Sequence, residues 1–426
     1  MRFLFFILVG VCFPTFCWGQ YVAIPDAAFR QHLQQKLPLC FNALGQLDTT
    51  CTSLIQARGL YCYSLPIVNL SGVEYFKGLD SLDCSHCEIN FLPKLPNKLT
   101  YFDCHANQLA LLPPLPPDLE FIDCSENKLT SVAYFPNKIR YIACSENKIA
   151  TLPKLPDSLL LLATGFNKLS TLPALPSKLG KLFCSNNQLY GLPSLPSSLT
   201  RLYCNNNELT ALPMLNSGLE ILICFYNSLS NLPALPSSLE ALDCSFNMLE
   251  QLPALPSNMG TLFCSNNRLT FLPSLPSVLW RLNCSSNVSL YCLPPLPDDF
   301  RLLIRQNTSI SCLPNKPSNL VDSLPICLDA WQVCDSLYLS TPRPAEPLEA
   351  VSPNPTADGA FTLYLNGTKA DAFSVYDQWG RQLIAEKRIE HETEVNILLD
   401  AKASGLYYLR LLREGMTTKV LPIVKN

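Results

Sequence analysis

The sequence predicts a mostly β solenoid, a curved coil of short parallel strands, followed by a small C-terminal β-sandwich. Three observations carry the prediction. Cys84, Cys104, Cys124, Cys144, Cys184, Cys204, Cys224, Cys244, Cys264 and Cys284 share one twenty-residue register, with Thr164 in the single vacant place. Asparagines recur with the same period from Asn107 to Asn307. The 36 prolines, far outnumbering the 16 glycines, fall mainly in Leu-Pro-x-Leu-Pro segments such as Leu172 to Pro176 and Leu252 to Pro256. A unit this short cannot bury its own apolar face, so its copies must stack.

The elements follow in chain order. Residues 1–19 contain Arg2, an apolar stretch from Phe3 to Val11, and Cys17-Trp18-Gly19 before Gln20. This reads as a secretory signal peptide, and its apolar stretch is too short to span a bilayer. A soluble mature chain is expected to begin near Gln20, with no transmembrane segment. Residues 20–78 read as an N-terminal cap. There Pro25 and Asp26 precede Phe29, Leu33 and Leu37, whose i, i+4, i+8 spacing predicts a short amphipathic helix over the first coil.

Residues 79–334 are read as the solenoid with its C-terminal cap. The consensus is LxxLxCxxNxLxxLPxLPxx, repeated eleven or twelve times between Leu79 and Asn319. Leu202 and Cys204 alternate with variable residues at period two, as in a strand with one face buried, so stacking at about 4.8 Å places the thiols in an internal column. The asparagines form a second column at the bend, where an amide both donates to and accepts from neighbouring backbone. The Leu-Pro-x-Leu-Pro return is expected to be extended and polyproline-like, because proline fixes φ and has no amide hydrogen. Such a thin convex side implies strong curvature.

Parallel side chains in the cysteine column hold Cβ atoms farther apart than the roughly 3.8 Å that a disulfide prefers, so these thiols are expected to be reduced. Bridges are expected in the flanks, among Cys40, Cys51 and Cys62 and among Cys292, Cys312, Cys327 and Cys334, with connectivity left open. Residues 335–350 contain Thr341-Pro-Arg-Pro-Ala-Glu-Pro347 and read as a proline-rich linker. From Val351 the repeat ends, and Phe361 to Leu365, Ala372 to Tyr376, Val395 to Leu399 and Leu406 to Leu411 read as strands of a sandwich over residues 351–426.

The twenty-residue consensus resembles the bacterial LPX subclass of leucine-rich repeats, found in secreted effectors and cell-surface proteins. The copy at Val132-Ala-Tyr-Phe-Pro136 departs from it by lacking the full Leu-Pro pair, and the last copies insert Cys292 and Cys312. Residues 351–426 resemble the C-terminal sorting domain of the type IX secretion system. The resemblance is carried by Ser352-Pro-Asn-Pro355, Gly359-Ala-Phe361, Val375-Tyr-Asp-Gln-Trp-Gly-Arg381, Ser404-Gly-Leu-Tyr-Tyr-Leu409 and Lys419-Val-Leu-Pro-Ile-Val-Lys425. It implies passage through the periplasm, recognition by the type IX machinery, and release or attachment at the outer-membrane surface.

Function is read partly by exclusion. A formal charge of −3 supplies no basic surplus for nucleic acid. His32, His86, His105 and His391 are too scattered along the chain for an evident metal or triad pattern, and no phosphate loop, HExxH or GxSxG occurs. No enzyme activity, cofactor or metal site is expected. Cys84-Ser-His86-Cys87 contains a CxxC, but Cys84 belongs to the internal column and Cys87 takes the asparagine position of its coil. His105 and Cys104 point to opposite faces.

What remains is the concave strand face. Its candidate ligand-binding residues are Tyr101, Phe121, Tyr141, Leu161, Phe183, Arg201, Tyr203, Ile221, Ile223, Phe225, Phe263 and Arg281. An exposed apolar and aromatic surface of this kind marks a contact site. The expected ligand is an extracellular protein, one from a host included. The alternative is a glycan-binding or structural surface protein, whose aromatics stack on sugars or only on one another. Asp83, Asp103 and Asp123 form an acidic group in one column, read mainly as solvated carboxylates, with a cation or a basic partner as alternatives.

Overall fold

The computed structural model describes residues 20–327 and strand segments within 350–425. The expected signal peptide, the linker short of Ala350 and Cys334 lie outside the described residues. The chain divides into two compact units, residues 1–336 and 337–426.

In the first unit a 13-stranded parallel sheet runs in strict chain order. Its first strand is Gly59–Tyr61, within the segment read as the cap, and its last is Leu302–Ile304. Between them a three-residue strand recurs every twenty residues, from Ser81–Asp83 to Arg281–Asn283. Register is exact to the residue, with Leu202 opposite both Leu182 and Leu222. In one coil Leu199, Leu202, Cys204 and Leu209 are all fully buried. Each such leucine contributes about 1.5–3 kcal/mol, but only because neighbouring coils cover it.

After each strand the chain turns through one residue in the left-handed region, from Ser64 (φ 57°) and His86 (φ 51°) to Asn307 (φ 56°). From Asn107 to Asn287 the asparagine that follows fixes this turn, whereas Cys87 follows His86. Asn307, aligned with the asparagine column by sequence, takes the left-handed place itself because the last strand is shifted by one residue, Arg281 pairing with Leu302. Asn207 Nδ2 donates to the carbonyls of Cys184 (3.1 Å), Cys204 (3.1 Å) and Asn205 (3.3 Å), while its Oδ1 accepts from Leu189 N (3.0 Å). The Leu-Pro-x-Leu-Pro returns are neither helix nor strand. Each return closes by a tight turn, as in Leu199 N to Pro196 O (3.1 Å). Side chains bridge coils where proline has no N–H to offer: Ser198 Oγ donates to the carbonyls of Ser177 and Leu179, each at 2.8 Å.

The ends differ in detail from expectation. The helix spans Ala27–Lys36 and buries Phe29 and Leu33. Leu37 is its C-cap at φ −133°, not a third member of the buried stripe, because Pro38 pushes the residue before it out of helical conformation. Asp26 caps the helix through Phe29 N (2.8 Å) and also accepts from Val68 N (2.8 Å), tying the cap to the first coil. Cys40 bonds to Cys51 and Cys312 to Cys327, and Cys292 is also disulfide-bonded. Cys62, grouped with the flanking bridges from sequence, is instead a free buried thiol. Its N–H donates to Asp83 O as Cys84 N–H does to Asp103 O, so it begins the internal column. All ten column cysteines are free and buried.

The second unit contains two antiparallel sheets. One pairs Ala350–Ser352, Ala360–Tyr364 and Glu394–Leu398; the other runs Gln382–Arg388, Ala372–Asp377, Gly405–Arg413 and Met416–Lys425. Tyr407, Leu409 and Leu411 are buried at period two, with Phe373, Val375 and Ile397 among the other buried side chains. No helix among the described residues is long and apolar enough to cross a membrane.

Candidate recognition face

The in-register ladder converts sequence period into two straight columns. The first residues of successive strands run Tyr101, Phe121, Tyr141, Leu161, Lys181, Arg201, Ile221, Ala241, Thr261 and Arg281. The third residues run Asp83, Asp103, Asp123, Ala143, Ala163, Phe183, Tyr203, Ile223, Asp243, Phe263 and Asn283. Eleven of the twelve candidates lie on these strands. Phe225 lies two residues past its strand, Ile221–Ile223, on the turn.

The apolar surface is a diagonal stripe. It follows the first column from Tyr101 to Leu161, where Lys181 and Arg201 interrupt it, and continues in the second column through Phe183, Tyr203 and Ile223. Tyr141 and Arg201 are exposed; the other ten candidates are half-buried. The rings cover one another. Tyr101 stacks on Phe121 with centroids 4.5 Å apart and planes at 7°, and Phe183 meets Tyr203 at 4.9 Å. Arg281 lies 4.6 Å above the Phe263 ring, a cation–π contact beyond the stripe.

The turn position after the strands adds aromatics that the strand alternation did not reveal. Phe166, Tyr226 and Phe246 occupy left-handed positions with φ of 53°, 50° and 53°. Asn186, Asn206 and Asn266 hold the same place in neighbouring coils, and asparagine tolerates that conformation better than a bulky residue does. Tyr226 and Phe246 stack at 4.0 Å, and Phe225 meets Tyr226 edge-on at 5.8 Å. The detectable signal was an aromatic in a register position otherwise rich in asparagine.

At the N-terminal end the face is acidic, and its carboxylates have local work. Asp83 Oδ1 accepts from Ser85 N (3.0 Å) and Ser85 Oγ (2.7 Å), and Asp123 Oδ1 accepts from Ser125 N (2.9 Å). These side chains hold the start of the turn. Asp103 Oδ1 accepts from His105 N (3.1 Å) and stands 2.7 Å from His105 Nδ1. Tyr101 OH donates to Asp103 Oδ2 at 3.4 Å, and its pKa is pushed up to about 12 by burial and then by the charges of Asp103 and Asp83.

His86 and His105, scattered in sequence, meet in space. They are nineteen residues apart, almost one coil, and their Nε2 atoms lie 2.9 Å from each other. Burial lowers the pKa of His105, but the hydrogen bond and charge of Asp103, then the charge of Asp123, outweigh it and leave it raised. Cys104 is buried on the opposite side, so no thiol–imidazole pair forms. Cys87 does take an asparagine's place, its thiol donating to Cys62 O at 3.2 Å.

Comparison with known proteins places this architecture. No family model and no curated protein matches the chain. Among solved structures, YopM from Yersinia enterocolitica WA-314 is 35% identical with a TM-score of 0.53, over 60% of this chain and 61% of that one. The match thus spans about three-fifths of that protein's length. YopM from Yersinia pestis, described as a leucine-rich effector protein, is 33% identical with a TM-score of 0.56, over 62% of this chain and 82% of that one. The leucine-rich repeat domain of APL1B shares the fold at 19% identity and a TM-score of 0.51, over 66% of this chain and 94% of that one.

Proposed function

The chain belongs to the leucine-rich repeat proteins, and we propose that it binds another protein through its strand face, outside the cell, without catalysing a reaction. The observation that carries this reading is the diagonal stripe from Tyr101 to Ile223, bounded by Asp83, Asp103 and Asp123 at one end and Arg281 beyond the other. An apolar centre with a charged rim is how protein interfaces are composed. Polar residues would serve solubility better at every one of these positions.

The stacking geometry favours protein over glycan as the ligand. A sugar ring needs a free aromatic face, whereas Tyr101 and Phe121 turn their faces to each other. Replacing Phe183 and Tyr203 by alanine in the full chain tests the reading on protein and glycan arrays. We expect a captured protein partner to lose at least thirtyfold in affinity, about 2 kcal/mol for a central pair, with circular dichroism unchanged. Capture of glycans alone, or protein binding indifferent to both substitutions, overturns it.

We further propose that residues 1–19 direct export to the periplasm and that residues 351–426 engage the type IX secretion machinery, which releases the protein or leaves it attached to the outer-membrane surface. Support comes from the motifs between Ser352 and Lys425 and from a C-terminal unit built of antiparallel sheets. In this reading the solenoid and its caps are the passenger, and the proline-rich residues 335–350 join them to the sorting domain. Mass spectrometry of the surface or secreted form is expected to find peptides of the solenoid but none containing Lys425. A mature form that retains Lys425 counts against removal of a sorting domain.

A further inference from the structure

We propose that His86 and His105 form a binding site for one divalent transition-metal ion of the imidazole-seeking kind, Ni2+, Cu2+ or Zn2+, at the acidic end of the strand face. The arrangement has the parts such a site needs. The two Nε2 atoms face each other 2.9 Å apart, with ring centroids at 4.5 Å and planes at 81°, so an ion would replace the proton they share. With metal–nitrogen bonds of about 2.0–2.1 Å, two adjacent ligands at a right angle stand about 2.9 Å from each other. That angle belongs to the square and octahedral geometries favoured by Cu2+ and Ni2+, and a small turn of the exposed His86 ring opens it for Zn2+.

The other nitrogen of His105 is already committed. Nδ1 lies 2.7 Å from Asp103 Oδ1, which places the proton on Nδ1 and leaves the Nε2 lone pair facing His86. A carboxylate behind a ligating imidazole is the usual outer-shell support of a metal site, fixing the tautomer and raising ligand basicity. Asp103 is itself held by His105 N and Tyr101 OH. Asp123 adds negative charge at close range: ligand atoms of Asp103, His105 and Asp123 all lie within 4.8 Å of one another. Ca2+ and Mg2+ take oxygen ligands and gain nothing from paired imidazoles, so selectivity follows from the nitrogen pair.

The repeat supplies variants that preserve the fold. His86 sits at the left-handed turn position, where more distant coils carry Asn186, Asn206 and Asn266, and His105 occupies the register of Ser85, Ser125 and Ser145. The test is calorimetric titration of the full chain with Zn2+ in the presence of excess Mg2+, alongside electron paramagnetic resonance with Cu2+. One ion per chain is expected, with coupling to two nitrogens in the Cu2+ spectrum. His86→Asn and His105→Ser should each weaken binding at least tenfold and reduce the nitrogen count, and Asp103→Asn should weaken it about tenfold while keeping both nitrogens. The proposal is overturned by the absence of saturable binding, by affinity indifferent to both histidine substitutions, or by binding that Asp123→Asn abolishes and His86→Asn leaves intact.

Discussion

Titrated upward from pH 8, the solenoid is expected to unfold steeply between about pH 9 and 10. The cause is the internal column of ten thiols. Burial raises the pKa of every one, to about 12 for Cys144, Cys184 and Cys284 and well above the ordinary value for Cys104, Cys204 and Cys224. Several thiols also donate to the next coil, as Cys184 Sγ does to Tyr203 O at 3.4 Å, so a thiolate there faces a carbonyl oxygen with no proton between them. A pKa that is raised on folding stabilises the native state fully below the unfolded value and loses that contribution as pH climbs toward the folded value. Unfolded thiols ionise near pH 9 and folded ones do not, so each costs about 1.4 kcal/mol per pH unit above that point. Ten acting together cost about 14 kcal/mol per unit, as much as the whole stability of a typical domain.

Circular dichroism against pH, with thiolate absorbance recorded in parallel, checks this directly, since unfolding and ionisation must coincide. Replacing Cys204 and Cys224 by alanine removes two titrating groups and should make the alkaline transition shallower even though neutral stability falls. A chain that remains folded at pH 11, or a slope unchanged by those replacements, contradicts the account. At neutral pH the same burial makes alkylation of the native thiols slow. A shift of the Cys184 pKa from 9.0 to about 12 lowers its thiolate fraction roughly a thousandfold.

What the sequence made legible was whatever repeats. Leu202, Cys204 and Asn207 each recur at one position of nearly every coil, so a single physical role could be assigned to a whole column, and the structure places the thiols and leucines inside as the alternation requires. Cys87 in an asparagine position was readable for the same reason. Features that break the period were not. Cys62 lies twenty-two residues before Cys84, a spacing that hides its membership of the thiol column. His86 and His105 belong to different register positions, so alignment separates them, while the turn after the strand brings their tips together. The stacking of Tyr101 on Phe121 depends on side-chain torsions, which no spacing encodes. Phe166, Tyr226 and Phe246 escaped because two-residue alternation describes a strand and says nothing of the turn that follows it.

Replacing Asn267 by alanine is expected to lower stability by about 3 kcal/mol, a large effect for one side chain. Its Nδ2 donates to the carbonyls of Cys244 (3.0 Å), Cys264 (3.1 Å) and Ser265 (3.2 Å), and its Oδ1 accepts from Leu249 N (3.0 Å). Alanine leaves the Leu249 amide facing the interior with no acceptor and frees the turn that positions the next return segment. Each buried polar group left unpaired costs about 1–3 kcal/mol, and the loss spans two coils because the amide joins them. The chain contains its own partial substitute. At Cys87 the thiol keeps a donation to Cys62 O, and in that coil Ile67 N turns to Leu65 O at 2.7 Å. Asn267→Cys should therefore fall between asparagine and alanine, and Asn267→Asp, which cannot donate once ionised, should be worse than alanine. Urea midpoints for the three variants give the order. Alanine within 0.5 kcal/mol of the parent, well under the roughly 1 kcal/mol floor for one unpaired group, means the turn holds itself without the amide. Because Asn267 points inward, away from the face that carries Phe183 and Tyr203, the folded fraction of the alanine variant should bind its ligand with unchanged affinity, which separates the column that builds the coil from the surface that does the recognising.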